Sequence, residues 1–129
     1  MYCLDSSIII PLFRGEKNIK KSIVSITPEN ICTTTITLSE LFRGGFKSKD
    51  AENDLSMVYE FIRDYKSFSF DMKSSEIFGR DFVHLEKSGK MTQVLDLMIG
   101  SIAKSNNLIL ITRNKKHFEN IPDLKVEEW

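Results

Sequence analysis

Residues 92–112, "TQVLDLMIGSIAKSNNLILIT", decide how the rest of the chain is read. Residues 92–107 read as a helix. The following "LILIT", 108–112, is a short continuous apolar run, the way a strand buried on both faces is written. A helix that hands over directly to such a strand is the unit of an alternating α/β chain, in which helices cover both faces of a parallel sheet.

Working outward, the same alternation recurs. Residues 1–4 read as a short buried strand. Residues 7–14, "SIIIPLFR", read as a helix capped by Ser6 or Ser7, with Pro11 tolerated and Gly15 as its stop. Ile19, Ile23 and Ile26 lie at helical spacing in 16–26. "NICTTT", 30–35, is β-branched and reads as a strand; a helix over 37–46 follows, with Glu40 in its first turn. Residues 50–65 form an amphipathic helix with Leu55, Val58, Tyr59 and Ile62 on one face. "SFSF", 67–70, alternates like a strand. Residues 71–89 are a helix with Ile77, Phe78, Phe82 and Leu85 inward and Gly89 at its end. The tail "LKVEEW" adds an edge strand. The expected fold is α/β: one domain over 1–129, three layers α/β/α around a mostly parallel central sheet.

Composition narrows the class. A chain of 129 residues with 41% hydrophobic and 28% charged residues suits one globular domain with a real core. No apolar run approaches the roughly 20 residues of a membrane span, and the N-terminus lacks a signal-peptide pattern. A cytoplasmic protein with no membrane partner is expected. Cys3 and Cys32 lie in strand contexts and read as small buried apolar groups; a disulfide requires their strands to be neighbours. A formal net charge of zero argues against a general nucleic-acid coat. Basic residues nevertheless gather at 14–21, at 43–49 and in "RNKKH", 113–117, where the ordinary reading is a solvated surface.

In open parallel sheets ligands collect outside the carboxyl ends of the strands. Asp5 ends the first strand there, Glu40 follows the second, and Thr112, Arg113 and Asn114 end "LILIT". Asp96, set among Val94, Leu95, Leu97, Met98 and Ile99, begins the helix that feeds that strand. Taken singly, each acid has an ordinary explanation. Asp5 could cap a helix or form half of an ion pair, and Glu40 and Asp96 could favour a helix N-terminus. Together, three carboxylates with no cation written between them repel, and a divalent cation relieves the repulsion. Oxygen donors without a His/Cys set suit Mg²⁺ or Mn²⁺. Such an ion keeps waters and stabilises phosphate charge, which points to phosphodiester hydrolysis. Asp71 at the start of "DMKSS" reads as a cap. His84 reads as structural, and His117 as a surface histidine within reach of RNA.

"YCLDSSIIIPLFRG" (2–15), "TTTITLSELFRGG" (33–45) and above all "DLMIGSIAKSNNLILITRNKKHFENIPDLKVEEW" (96–129) resemble the PIN-domain ribonucleases, and more narrowly the VapC toxins of toxin–antitoxin modules. The resemblance runs over essentially the full length. It implies a PIN-like fold with an acidic site at the carboxyl ends of the strands. It implies Asp5, Glu40 and Asp96 as the principal acids, Asp5 and Asp96 as the pair holding Mg²⁺ (or Mn²⁺), and Ser6 and Thr112 in support. Asn114 stands at the fourth catalytic position, where many relatives carry Asp. Leu95 and Ser7 depart from a frequent Asn or Asp and a frequent Asn. Arg113, Lys115 and Lys116 are candidate RNA contacts.

The implied function is a Mg²⁺-dependent endoribonuclease toxin that cuts RNA, is neutralised by a cognate antitoxin and forms a homodimer. The apolar faces of 16–26 and 50–65 are the candidate contact surfaces. One alternative is a PIN-like fold without catalysis that binds RNA or a partner. Another is a phospho-receiver domain using Asp71 and Thr112. Receivers, however, need adjacent acids after the first strand, where this chain has "DSS".

Overall fold

The computed structural model describes residues 1–129. Its strands are β1 (Tyr2–Leu4), β2 (Ile31–Thr34), β3 (Lys66–Phe68), β4 (Ile109–Thr112) and β5 (Val126–Glu128). Its helices are α1 (Ser6–Phe13), α2 (Lys17–Val24), α3 (Thr35–Lys47), α4 (Ala51–Asp64), α5 (Met72–Ser88), α6 (Val94–Ser105) and α7 (Lys115–Phe118). The strands form one sheet in the order β3-β2-β1-β4-β5, and every pairing is parallel.

Side chains alternate across a strand, so each central strand feeds two cores. Leu4, Ile31 and Ile111 join Ile8, Ile9, Leu38, Leu41, Val58 and Phe61 on one face of the sheet. Cys3, Cys32 and Leu110 join Leu85, Leu97, Ile99 and Phe118 on the other. The first face is covered by α1 to α4, the second by α5 to α7. Cys3 and Cys32 are register partners on neighbouring strands, and both are free, buried thiols.

The helix ends follow local chemistry. Gly15 and Gly89 take positive φ, 76° and 67°, a left-handed turn that glycine enters without a Cβ clash and that stops α1 and α5. Asp71 caps α5 by accepting from the Ser74 amide at 2.9 Å, so it is a cap as expected.

Five expectations change. Asp5, not Ser6 or Ser7, occupies the N-cap position of α1, and no side chain makes a capping bond there. Helix α3 starts at Thr35, capped by the Thr34 hydroxyl, which moves Glu40 from the first turn to the second. On α4 Val58 is buried and Ile62 packs against the core as expected, but Phe61 joins them beside Phe13, and Tyr59 is 61% exposed. The third strand is Lys66–Phe68, displaced from 67–70 by its register with Cys32–Thr34. Finally, α7 follows β4 directly, where no helix was expected.

Candidate active site

The sheet order reverses at β1. The chain passes from β1 outward to β2 and β3, then returns to add β4 and β5 on the other side. The crevice of such a sheet opens at the carboxyl ends of the two strands flanking the reversal, here β1 and β4. Asp5 follows β1 and Thr112 ends β4. The Asp5 amide donates to the Ile111 carbonyl at 3.0 Å, which continues the ladder to the edge of the crevice.

Asp5 is 4% exposed and enters no ion pair. Its Oδ2 accepts from the Ser7 hydroxyl at 3.0 Å and from the Thr112 hydroxyl at 2.8 Å, leaving Oδ1 without a protein donor. Of its three possible roles, helix cap and ion pair are therefore both removed.

Glu40 reaches the same rim from α3, and Asp96 from the first turn of α6. Burial pushes the Glu40 carboxyl up. The nearby Ser6 hydroxyl opposes this, and the charges of Asp5 and Asp96 push it further. Burial likewise raises Asp96; His117 opposes the shift and the Asp5 charge adds to it. The three acids thus feel one another across the crevice. Glu40 Oε2 and Asp96 Oδ2 are buried with no hydrogen-bond partner. His117 Nδ1 stands 3.3 Å from Asp96 Oδ2 without hydrogen-bond geometry, so that oxygen remains unpartnered.

No three His, Cys, Asp or Glu side chains close into a ready-made metal cage. Two orphaned carboxylate oxygens and the free Oδ1 of Asp5 around one crevice nevertheless fit a hard cation that keeps part of its water shell. A closed soft-metal site would need sulfur or imidazole ligands, and the buried thiols of Cys3 and Cys32 lie within the core.

Asn114 is exposed at the start of α7, and its amide donates to the Thr112 hydroxyl at 3.0 Å. Lys115 and Lys116 are exposed on α7 beside it. Arg113 differs from them: its guanidinium pairs with Glu16 through two bonds, which holds Glu16 below the usual carboxylate range. Two residues at the site carried no such role in the sequence. Ser7 resembled a helix cap, and His117 a surface histidine. Phe118, 1% exposed, anchors α7, and the neighbouring His117 lies against Asp96 of α6. The pairing of His117 with Phe118 was the one local hint.

A cleft of about 220 Å³ runs from Glu40 between α1, α3 and α4, lined by Ile10, Phe13, Leu41, Met57 and Val58 together with Arg14 and Asp54. No helix is long and apolar enough to cross a membrane.

The PIN domain family model matches residues 2–124. The chain is 30% identical to Ribonuclease VapC2 of Rickettsia felis over 131 aligned positions, covering all of this chain and 98% of that one. It is 26% identical to the tRNA(fMet)-specific endonuclease VapC of Shigella flexneri, covering 99% and 97%. The fold superimposes on the crystal structure of VapBC2 from Rickettsia felis bound to a DNA fragment from their promoter, with a TM-score of 0.92, 28% identity and coverage of 99% and 98%. The chain belongs to the PIN domain family, among its VapC members.

Proposed function

We propose that this protein is a divalent-metal-dependent endoribonuclease, the toxin of a toxin–antitoxin pair. The observation that carries the reading is the pair of buried oxygens without a hydrogen-bond partner, Glu40 Oε2 and Asp96 Oδ2, on two carboxyls that both feel the charge of Asp5. Leaving two buried carboxylate oxygens unsatisfied is costly, and a bound cation removes that cost.

Asp5 and Asp96 are the ligands of Mg²⁺, with Mn²⁺ as a substitute, and Glu40 completes the negative crevice. When bound, the cation supplies charge neutralisation for a phosphate and makes a water more acidic. Thr112 and Ser6 hold Asp5 and Glu40 in place. Asn114 adds a polar group without a fourth charge. Lys115 and Lys116 offset the repulsion that an acidic crevice exerts on an RNA backbone.

The ribonuclease names of the relatives support RNA as the substrate, and a tRNA is the first to try. The likeness to VapBC complexes supports an antitoxin partner. The cleft leading from Glu40 along α4 suits a segment with apolar side chains, placed to cover the crevice. An RNA substrate and such a partner put the protein in the cytoplasm. The test is cleavage of tRNA by purified protein, free of host nucleases, with Mg²⁺ added or chelated, and with a cognate antitoxin added back. Cleavage that ignores chelation rejects the metal role.

A further inference from the structure

We propose that Ser7 is a positioning residue of the acid site, through which a backbone amide of the β4–α7 turn is transmitted to one oxygen of Asp5. The inference rests on the metal-dependent reading above and deepens it. Ser7 Oγ donates to Asp5 Oδ2 at 3.0 Å and accepts from the Arg113 amide at 2.9 Å. Thr112 Oγ1 donates to the same Asp5 oxygen at 2.8 Å and accepts from the Asn114 amide at 3.0 Å. A hydroxyl has one proton to give. Assigned to Asp5, the two protons leave the hydroxyl oxygens, 3.2 Å apart, as neighbours sharing an acceptor, and a hydroxyl-to-hydroxyl bond between them is the competing arrangement. Two consecutive amides therefore reach one carboxylate oxygen through two parallel relays, each strengthened by the donor behind it.

Oδ2 is saturated in this way and Oδ1 is left for a cation. The carboxylate is held from two directions, and this is how an outer hydrogen bond orients a metal ligand. Thr112 does this from the strand that pairs with β1. Ser7 does it from the first turn of α1, and so ties that helix to the turn carrying Asn114. The hydroxyl has no capping duty that would explain it otherwise, since α1 makes no side-chain cap bond.

The test compares Ser7→Thr with Ser7→Val in the full-length protein. The two side chains have nearly the same shape and differ in the hydroxyl, and Ser7→Ala repeats the comparison with less bulk. The readout is the rise of Tm with Mg²⁺ alone, without RNA, because a ligand that binds the native state raises stability by mass action. Ser7→Val is expected to need roughly tenfold or more Mg²⁺ to reach half the wild-type rise, while Ser7→Thr stays close to wild type. The metal-free Tm of Ser7→Val should fall below that of Ser7→Thr, since Val makes neither hydrogen bond, and the Mg²⁺ midpoint is read apart from that offset. RNA cleavage by Ser7→Val should recover as Mg²⁺ is raised. Equal Mg²⁺ midpoints for the two variants overturn the proposal. So does a Ser7→Val defect confined to the metal-free Tm, which marks a purely structural hydroxyl. A wild-type protein whose Tm ignores Mg²⁺ overturns the metal reading and this one with it, and that outcome is visible before any substitution is made.

Discussion

At the scale of single residues, the site is held under electrostatic tension. Glu40 and Asp96 carry pKa values raised first by burial, and each is raised further by neighbouring acids. A carboxyl whose folded pKa lies above its unfolded value binds more protons when folded over the interval between the two. Its contribution to stability is therefore greatest at low pH and falls as pH rises through that interval. Glu40→Gln removes this contribution. In metal-free protein the variant should melt above wild type at neutral pH, and the gap should close as pH falls toward the ordinary carboxylate range. Melting curves from about pH 4 to about pH 8 check this; a gap that does not change with pH would show that Glu40 ionises freely. Asp96→Asn should keep the fold and abolish cleavage, because an amide is close in shape but cannot neutralise a cation. Full RNase activity in that variant would remove Asp96 from the site. Asp5 stands out in the sequence because it follows the first strand directly, Asp96 because it is a lone carboxylate among apolar residues at a helix start, and Glu40 because its helix follows the second strand. Ser7 and His117 do not stand out, because their roles depend on Arg113 and Asp96, which lie far from them along the chain.

At the scale of elements, α5 and α6 are clamped by a buried charge pair. Lys104 on α6 bonds to Asp81 on α5, with side chains only 9% and 3% exposed. Ser74 and Ser105 add a hydroxyl contact at 3.0 Å. Removing one partner of a buried pair leaves the other charge uncompensated, at a cost of about 3 to 5 kcal/mol, whereas replacing both with apolar groups can be neutral. Arg80 Nε lies 3.6 Å from the other oxygen of Asp81 and compensates part of the charge that Lys104→Met strands, so that variant should lower stability in urea denaturation by less than this, no more than about 3 kcal/mol, and adding Asp81→Leu should restore most of it. A double variant no more stable than Lys104→Met would mean that the helices depend on charge and not on packing. The helical spacing on α5 identified Phe78, Phe82 and Leu85 correctly, whereas Ile77 is half-buried outside both cores, and it gave no sign of Asp81, since a buried acid is recognised only by its distant partner. Two other elements escaped for different reasons. The four residues of α7 are too few to display a period, and on α4 the apolar residues Leu55, Val58, Tyr59, Phe61 and Ile62 are dense enough to support two rotations of the helix.

At the scale of the whole molecule, strand order could not be read from alternation, which fixes parallel pairing but not which strands are neighbours. The order β3-β2-β1-β4-β5 brings the two ends of the chain together. It sets Tyr2 beside Trp129, the rings tilted by 49° with centroids 5.9 Å apart, and gathers Asp5 and Thr112 at one edge. On the helical face away from that edge, Val24, Phe46 and Tyr59 are 76%, 71% and 61% exposed, and these apolar groups fit a protein that does not work alone. Light scattering should give twice the 14.9 kDa chain mass for the purified protein; a monomer at micromolar concentration would reject the homodimer. The opposite charge problem arises at the site itself. The net charge of zero conceals an acidic crevice bordered by the exposed Lys115 and Lys116 of α7. Arg113, one residue earlier, is already committed to Glu16, so those two lysines are the free cations of this turn. If RNA crosses α7 to reach Asp5, each lysine that meets a phosphate displaces a counterion, and the logarithm of binding falls with the logarithm of salt by about 0.7 per contact for a single strand. Lys115→Glu with Lys116→Glu should weaken RNA binding at low salt and flatten its salt dependence by about 1.4 units of slope where both lysines meet phosphates. The cleavage position should stay where it is, since phosphate contacts position a chain without reading its bases. Binding and cleavage measured against salt for both proteins decide the matter: superimposable curves would show that the lysines are plain surface and that RNA enters the crevice from the α3 side.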